Sequence, residues 1–189
     1  MSAILQRHDG DPVRIAVFGT HPEAVREVSQ AAASRLRATT STLRMGGITV
    51  NRVVWNTAGG RPCLLRALVS EDHPSALDLA VRESDAVLFV MDVEASQLKA
   101  GWNRLMLVGD AVRREGHELL DRPFAIQYHR AELHAGFDAA LMDGWLGFPL
   151  DRVIRTVSSS DRPDEENGAL DRLVFEVLSS AGSGPTDER

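Results

Sequence analysis

The chain has one cysteine, Cys63, in 189 residues. No intramolecular disulfide can form, and a reducing compartment fits this usage better than an oxidising one. Basic residues are not in excess. The 27 Asp and Glu outweigh the 21 Lys and Arg, for a formal net charge of −6. A phosphate backbone demands clustered Lys and Arg, so nucleic acid is excluded as a main partner. No apolar run reaches the ~18 residues that a membrane span requires, which argues against direct membrane insertion. The opening MSAILQRHDGDP lacks the basic start and long apolar centre of a secretory signal. The six histidines are scattered without metal-ligand spacing. There is no internal repeat, and no nucleophile–base constellation. Cys63 and His73 are close in sequence, but a lone cysteine is more often a packed small apolar residue.

What remains is an ordinary soluble composition, 43% apolar and 25% charged, long enough for one domain with a real core. Residues 1–12 read as a flexible arm and 181–189 as a disordered tail. Between them, VRIAVF (Val13–Phe18) is a nearly continuous apolar run, as a buried strand requires. Helical periodicity follows, with Val25, Val28, Ala32 and Leu36 on one face. STLRM and ITVNRVVW flank Gly46–Gly47 and read as a hairpin. The stretch from Asn56 to Pro74 is rich in turn residues and reads as a loop leading to a short helix. DAVLFVMD, RPFAIQY and DRVIRTV read as further strands. A long helix with Leu98, Trp102, Leu105 and Val112 inward, a weak one (FDAALMDGWLG), and a final amphipathic one carrying Leu170, Leu173, Val174, Val177 and Leu178 complete the pattern. Strands alternating with helices after a hairpin predict an α/β fold: a mostly parallel six-stranded sheet with helices on both faces. Ligands of such sheets sit at the carboxyl ends of the strands, here the loops GTHPE, NTAGG, YHRAEL and VSSSD.

In order and spacing, those loops resemble the Ras-like small GTPase superfamily. The similarity is to its bacterial gliding-motility (MglA-type) branch and covers residues 13–180, a single P-loop-NTPase-like G domain. VVWNTAGG resembles the strand and D-T-A-G of switch II. SDAVLFVMDVEASQLKAGWNRL resembles the fourth strand and its helix. PFAIQYHRAEL resembles the base-recognition strand that ends in N-K-x-D-L, and VSSSD stands where the family has its S-A-K-like loop.

The signature residues are replaced at nearly every position. The phosphate-loop pattern G-x-x-x-x-G-K-[ST] falls on GTHPEAVR. Gly19 is retained, but Ala24, Val25 and Arg26 stand at the second glycine, the lysine and the magnesium-binding hydroxyl. Pro22 removes one N–H from a loop that works by pointing N–H groups at phosphate. Thr20 and Glu23 instead have the spacing of an [ST]-x-x-E capping box, which would make this a strand–cap–helix turn. Arg26 is either a solvated helix residue or a displaced phosphate ligand. Asn56 replaces the family's metal-associated aspartate. Gly59 is retained, as a γ-phosphate glycine or simply as a turn, and Gly60 stands where many members have a catalytic glutamine. His129, Arg130 and Glu132 replace the base-reading Asn, Lys and Asp. Ser158 would offer a backbone N–H to the base. The switch I threonine could be Thr39, Thr40 or Thr42.

The resemblance therefore implies a catalytically inactive pseudo-GTPase that binds proteins, with no cofactor and no metal expected. The alternative is a non-standard guanine-nucleotide binder or slow GTPase using GTP or GDP with magnesium. Implied partners are a roadblock-domain protein or an intact Ras-like GTPase, in a cytoplasmic polarity, motility or signalling complex that is recruited to a membrane. The apolar residues Leu64, Leu65 and Leu68, beside Cys63 and Val69, either pack inward as the start of the second helix or form an exposed partner-binding patch.

Overall fold

Strands and helices alternate in a computed structural model of the protein, which describes residues 10–45, 47–70, 74–149, 152–157 and 168–182. The order is β1 (Val13–Gly19), α1 (Pro22–Arg35), β2 (Thr39–Met45), β3 (Ile48–Asn56), β4 (Pro62–Ser70), α2 (Pro74–Arg82), β5 (Ala86–Asp92), α3 (Leu98–Arg114), β6 (Phe124–His129), α4 (Ala139–Leu146), β7 (Ile154–Val157) and α5 (Gly168–Gly182). One sheet holds the strands in the order β2-β3-β4-β1-β5-β6-β7. From β4 to β7 the neighbours are parallel; β2 and β3 are antiparallel to their neighbours. The expected α/β class and mostly parallel sheet are present.

The strand count is seven, not six. The added strand is β4, within the segment read as a loop. PCLLRALVS lacks strict alternation because it is buried on both faces, between β3 and β1. Arg66 interrupts the apolar run and reaches the rim, where it pairs with Glu83. The hairpin is as expected, with Thr39 opposite Val54 and Met45 opposite Ile48.

Every residue of β5 is buried, because the strand lies mid-sheet with a helical layer on each face. On one face Val17, Val25, Val28, Leu65, Leu88 and Leu173 form a core beneath α1 and α5. On the other, Phe18, Phe89, Met91, Leu105, Val112 and Tyr128 form a core beneath α2 and α3. The sheet outgrows this cover. All seven residues of β2 are exposed, and β2 forms one edge. No helix among the described residues is long and apolar enough to cross a membrane. The arm lies outside the described residues up to position 9, and the tail from position 183.

Candidate functional site

At the carboxyl end of β1 the chain turns into α1 with only Thr20 and His21 between them. The helix starts at Pro22, whose fixed φ suits the first helical position. The N-cap is His21, not Thr20. Its backbone is extended (φ −148°, ψ 161°), and its Nδ1 accepts the Ala24 N–H at 3.3 Å. The expected Thr20–Glu23 capping box is therefore not formed. Thr20 Oγ1 instead accepts the Asp92 N–H at 3.1 Å, and the Thr20 N–H donates to the Val90 carbonyl at 2.9 Å. These two bonds pin the turn to β5, and they use Thr20 as a bridge between strands rather than as a cap.

The other ring nitrogen of His21 meets Asp92. Nε2 lies 2.8 Å from Asp92 Oδ2. With Nδ1 accepting, Nε2 carries the hydrogen and donates it to the carboxylate. Asp92 is 3% exposed. Burial works against its charge, but the Glu94 N–H (2.9 Å to Oδ1) and the His21 hydrogen bond outweigh burial, and the carboxyl stays below its usual range.

The turn is also closed sterically. A Cβ at Gly19 would lie 2.6 Å from Val25 Cγ2 and 3.0 Å from the Val90 carbonyl. Gly19 is thus required by close packing of β1, α1 and β5. Gly101 of α3 serves the same purpose from the other side, since a Cβ there would lie 2.8 Å from Thr20 Oγ1.

A second network lies beside the first. Glu27 of α1 takes His129 Nε2 at 3.0 Å and also pairs with Arg130. His129 is 4% exposed. Burial pushes its imidazole below the ordinary range, against the pull of Glu27, so it is neutral near pH 7. For Glu27, burial favours the neutral form, but Arg130 and His129 prevail and lower the carboxyl. Arg130 sits at φ 56°, an uncommon conformation for a side-chain-bearing residue. Its ion pair with Glu27 helps to hold it there. Between the networks lies an open depression of about 550 Å³, lined by His21, Glu23, Arg26, Asp92, Glu94 and Arg130 among others. Its walls carry three carboxylates, Glu23, Asp92 and Glu94, against two guanidinium groups, Arg26 and Arg130. Among the described residues, no three His, Cys, Asp or Glu side chains are placed to hold a metal.

The structure gathers Gly19, Thr20, Arg26, His129 and Arg130 at this end of the sheet. Glu132 follows in a 3-10 turn, Ala131–Leu133. Ser158 lies outside the described residues. Asn56 and Gly59 are elsewhere. Asn56 pairs with Pro62, and Cys63, the next residue, pairs with Val13 at the start of β1. NTAGG is therefore the β3–β4 turn at the amino ends of the parallel strands, about 20 Å from Gly19 by the length of β1. Its conformation is fixed locally, with Thr57 Oγ1 accepting the Arg61 N–H at 3.1 Å and Gly60 at φ 79°. The strand beside β1 is β4, so the carboxyl-end position next to the β1 turn belongs to Ser70; positions 71–73 lie outside the described residues. Thr39, Thr40 and Thr42 lie on edge strand β2, where Thr42 bonds Asn51 at 3.0 Å.

The expected partner patch is contradicted. Leu64, Leu65 and Leu68 are 7%, 0% and 5% exposed, because β4 is an interior strand and not a switch loop. Sequence reasoning missed His21, Glu27 and Asp92. Asp92 was legible only as a charge ending a long apolar strand, and its partner stands 71 residues earlier.

Solved structures share this fold. The chain is similar to the cytosolic domain of the Thermotoga maritima FeoB iron transporter in its apo form. The TM-score is 0.55 at 16% identity, covering 94% of this chain and 66% of that one, so it spans slightly under two thirds of that domain. The G domain of the same transporter gives 0.56 at 16% identity, over 90% of this chain and 99% of that one. Nucleolar GTP-binding protein 1 of Plasmodium falciparum gives 0.59 at 9% identity, over 93% and 91%. No family model and no curated protein matches the sequence. The likeness is one of fold: this chain folds as a G domain.

Proposed function

We propose that this chain uses a G-domain fold to bind protein, and that it has given up nucleotide turnover. The observation that carries this reading is the turn after Gly19. His21 caps α1, Val25 packs against Gly19, and Asp92 stands as a fixed negative charge beside the helix N-terminus. Helix N-termini attract anions. Here the capped amide and the Asp92 carboxylate answer that attraction from within the chain. A magnesium–phosphate group does not fit this donor set. No lysine or hydroxyl stands at the positions that would hold it, Pro22 supplies no N–H, and Asp92 and Glu94 face the depression. The base-reading positions are committed as well, since Glu27 engages both His129 and Arg130.

Phosphoryl transfer depends on positioning and charge stabilisation by such clamps, so turnover is the first function to be lost. The MglA-type resemblance supports a bacterial polarity, motility or signalling complex on the cytoplasmic side of a membrane. A roadblock-domain protein or an intact Ras-like GTPase is the corresponding partner. The open depression with Arg26 and Arg130 on its wall favours one competing reading, weak nucleotide binding without turnover.

Acid extraction of the freshly purified protein followed by anion-exchange chromatography tests both. No guanine nucleotide is expected, and titration with a fluorescent GDP analogue should show no saturable binding with or without magnesium. Stoichiometric GDP or GTP would overturn the proposal. Saturable binding with no hydrolysis would establish the competing reading.

A further inference from the structure

Between α1 and the β2–β3 hairpin lies an open groove of about 610 Å³ whose lining includes no carboxylate. Its local charge is opposite to the chain's net −6. Arg26 of α1 and Arg44 of β2 stand on opposite walls, both exposed, and neither has an ion-pair partner among the described residues. The topology brings them to one end. α1 starts at the carboxyl end of the parallel strands, and β2 finishes there, since Arg44 lies opposite Thr49, and Thr49 opposite Ser70 of β4. Toward the other end come hydroxyls, from Ser34 late in α1 and Thr40 early in β2. Arg52 also borders the groove, but strand alternation turns its side chain to the α2 face. The floor is a hydrogen-bonded run. Ser29, 2% exposed, donates its hydroxyl to the Arg26 carbonyl at 2.8 Å, so it accepts from Asn51 Nδ2 at 3.4 Å. That fixes the Asn51 amide, whose Oδ1 accepts the Thr42 hydroxyl at 3.0 Å. The run uses up the amide acceptor and leaves the second Asn51 amide hydrogen without a partner among the described residues. Two guanidinium groups and this N–H make the groove a set of donors. No aromatic side chain lines it, so a nucleobase has no stacking partner there.

We infer that this groove binds a phosphate monoester carried on a polyhydroxylated ring, the chemistry of a sugar phosphate or an inositol-type headgroup. Arg26 and Arg44 take the phosphate oxygens, because a planar guanidinium fork matches phosphate geometry and keeps its charge. The ring hydroxyls meet Ser34 and Thr40 further along the groove. The volume lies within the range of small-molecule sites. The inference does not depend on the protein-binding reading above: this groove shares only Arg26 with the depression beside Asp92.

The test is a nuclear magnetic resonance titration of the isotope-labelled full chain with inositol monophosphate. Saturable shifts are expected at the backbone amides of Ser29, Thr42 and Asn51 and at the side-chain Nε–H of Arg26 and Arg44. Inositol alone and inorganic phosphate should each bind about tenfold or more weakly, and GMP no better than inorganic phosphate. Arg26→Gln and Arg44→Gln should each weaken the ester about tenfold or more, while Arg113→Gln on remote α3 leaves it unchanged. Asn51→Asp, which sets a negative charge on the floor, should abolish binding; should it fail to fold, Arg44→Gln on the exposed edge strand carries the test, with native circular dichroism as its check. Cosedimentation with phosphatidylcholine vesicles, plain or doped with phosphatidylinositol monophosphate, separates the sources. Binding to the doped vesicles alone, lost in Arg44→Gln, would support the inference with a lipid headgroup as ligand, and binding of the free ester without vesicle binding would support it with a soluble one. No saturable shift with inositol monophosphate, equal binding of inositol, tighter binding of GMP, or affinity unchanged in both arginine variants would overturn it. Tighter binding of the acidic peptide GEEEEG than of the ester would make the groove a protein contact and would overturn it too.

Discussion

Substitution of Gly19 by alanine tests directly whether the turn after β1 is closed by packing. The added Cβ would lie 2.6 Å from Val25 Cγ2, 3.0 Å from the Val90 carbonyl and 3.3 Å from Val90 Cβ. Carbon pairs prefer about 3.5–4.0 Å, so Val25 must retreat by about 1 Å. It has little freedom to do so. Val25 is 1% exposed, and a β-branched residue inside a helix is nearly confined to one χ1 rotamer. The Val90 carbonyl cannot move freely either, because it accepts the Thr20 N–H at 2.9 Å. Overpacking of this kind costs about 1–3 kcal/mol. Val25→Ala alone should cost about 2 kcal/mol through lost burial. In combination the two should not add. Removing the Val25 methyls opens the space that the new Cβ needs, so Gly19→Ala should be cheaper by about 1 kcal/mol in the Val25→Ala background. The residual approach to Val90 prevents complete relief. Urea unfolding of the four proteins, with the m-value checked for constancy, gives the coupling. Additivity within about 0.5 kcal/mol would show that Val25 does not crowd Gly19 and would remove the steric argument for a closed turn.

Three further expectations concern the polar networks. His21→Ala should destabilise the fold by about 2–3 kcal/mol, from a lost N-cap and an unpaired buried carboxylate. His21→Asn should restore the cap share, while Thr20→Ala should act only through the Asp92 N–H; a urea midpoint for Thr20→Ala below that for His21→Ala would contradict this. Acid should weaken the fold in two stages. His129 is pushed down by burial, so the unfolded chain takes its proton first. Stability therefore falls as pH drops below about 6.5, and this loss levels off once pH passes the folded value. Asp92 and Glu27 are held low. Their contributions are intact above about pH 4 and are lost as pH falls through the folded values. A thermal midpoint that stays flat from pH 7 to 5, or a first stage that survives His129→Gln, would be the wrong outcome. The one tyrosine, Tyr128, is buried, and its hydroxyl donates to Asp143 Oδ1 at 2.6 Å. Burial first, and the Asp143 carboxylate second, push its ionisation far up. Tyrosinate absorbance should appear on alkaline titration only together with loss of the native circular dichroism, and Tyr128→Phe should cost about 1–2 kcal/mol.

Much of the fold was legible in the residues themselves. VRIAVF, apart from Arg14, and AVLFVM are apolar because a parallel strand under helices on both faces has no solvent side, and that pattern can be read without coordinates. The hairpin announced itself through two glycines between strand-like runs. The replaced signature residues at Val25, Arg26, His129 and Arg130 were visible one by one. Helix faces followed from spacing alone, as with Val25, Val28 and Ala32 of α1. Tertiary structure decided what depends on distant pairing. PCLLRALVS has no local period that distinguishes an interior strand from a turn-rich loop, and only its placement between β3 and β1 made it one. That placement reversed the position of NTAGG, because a strand antiparallel to its neighbour delivers its end to the opposite rim of the sheet. It also buried Leu64, Leu65 and Leu68 where a switch surface had been expected. The cap on α1 went to His21 rather than Thr20 because Asp92, 71 residues away, holds the imidazole and Thr20 alike. Local sequence sets propensity and periodicity, which act over a few residues. Strand order and the side chains brought together at strand ends are set by burial summed over the whole chain.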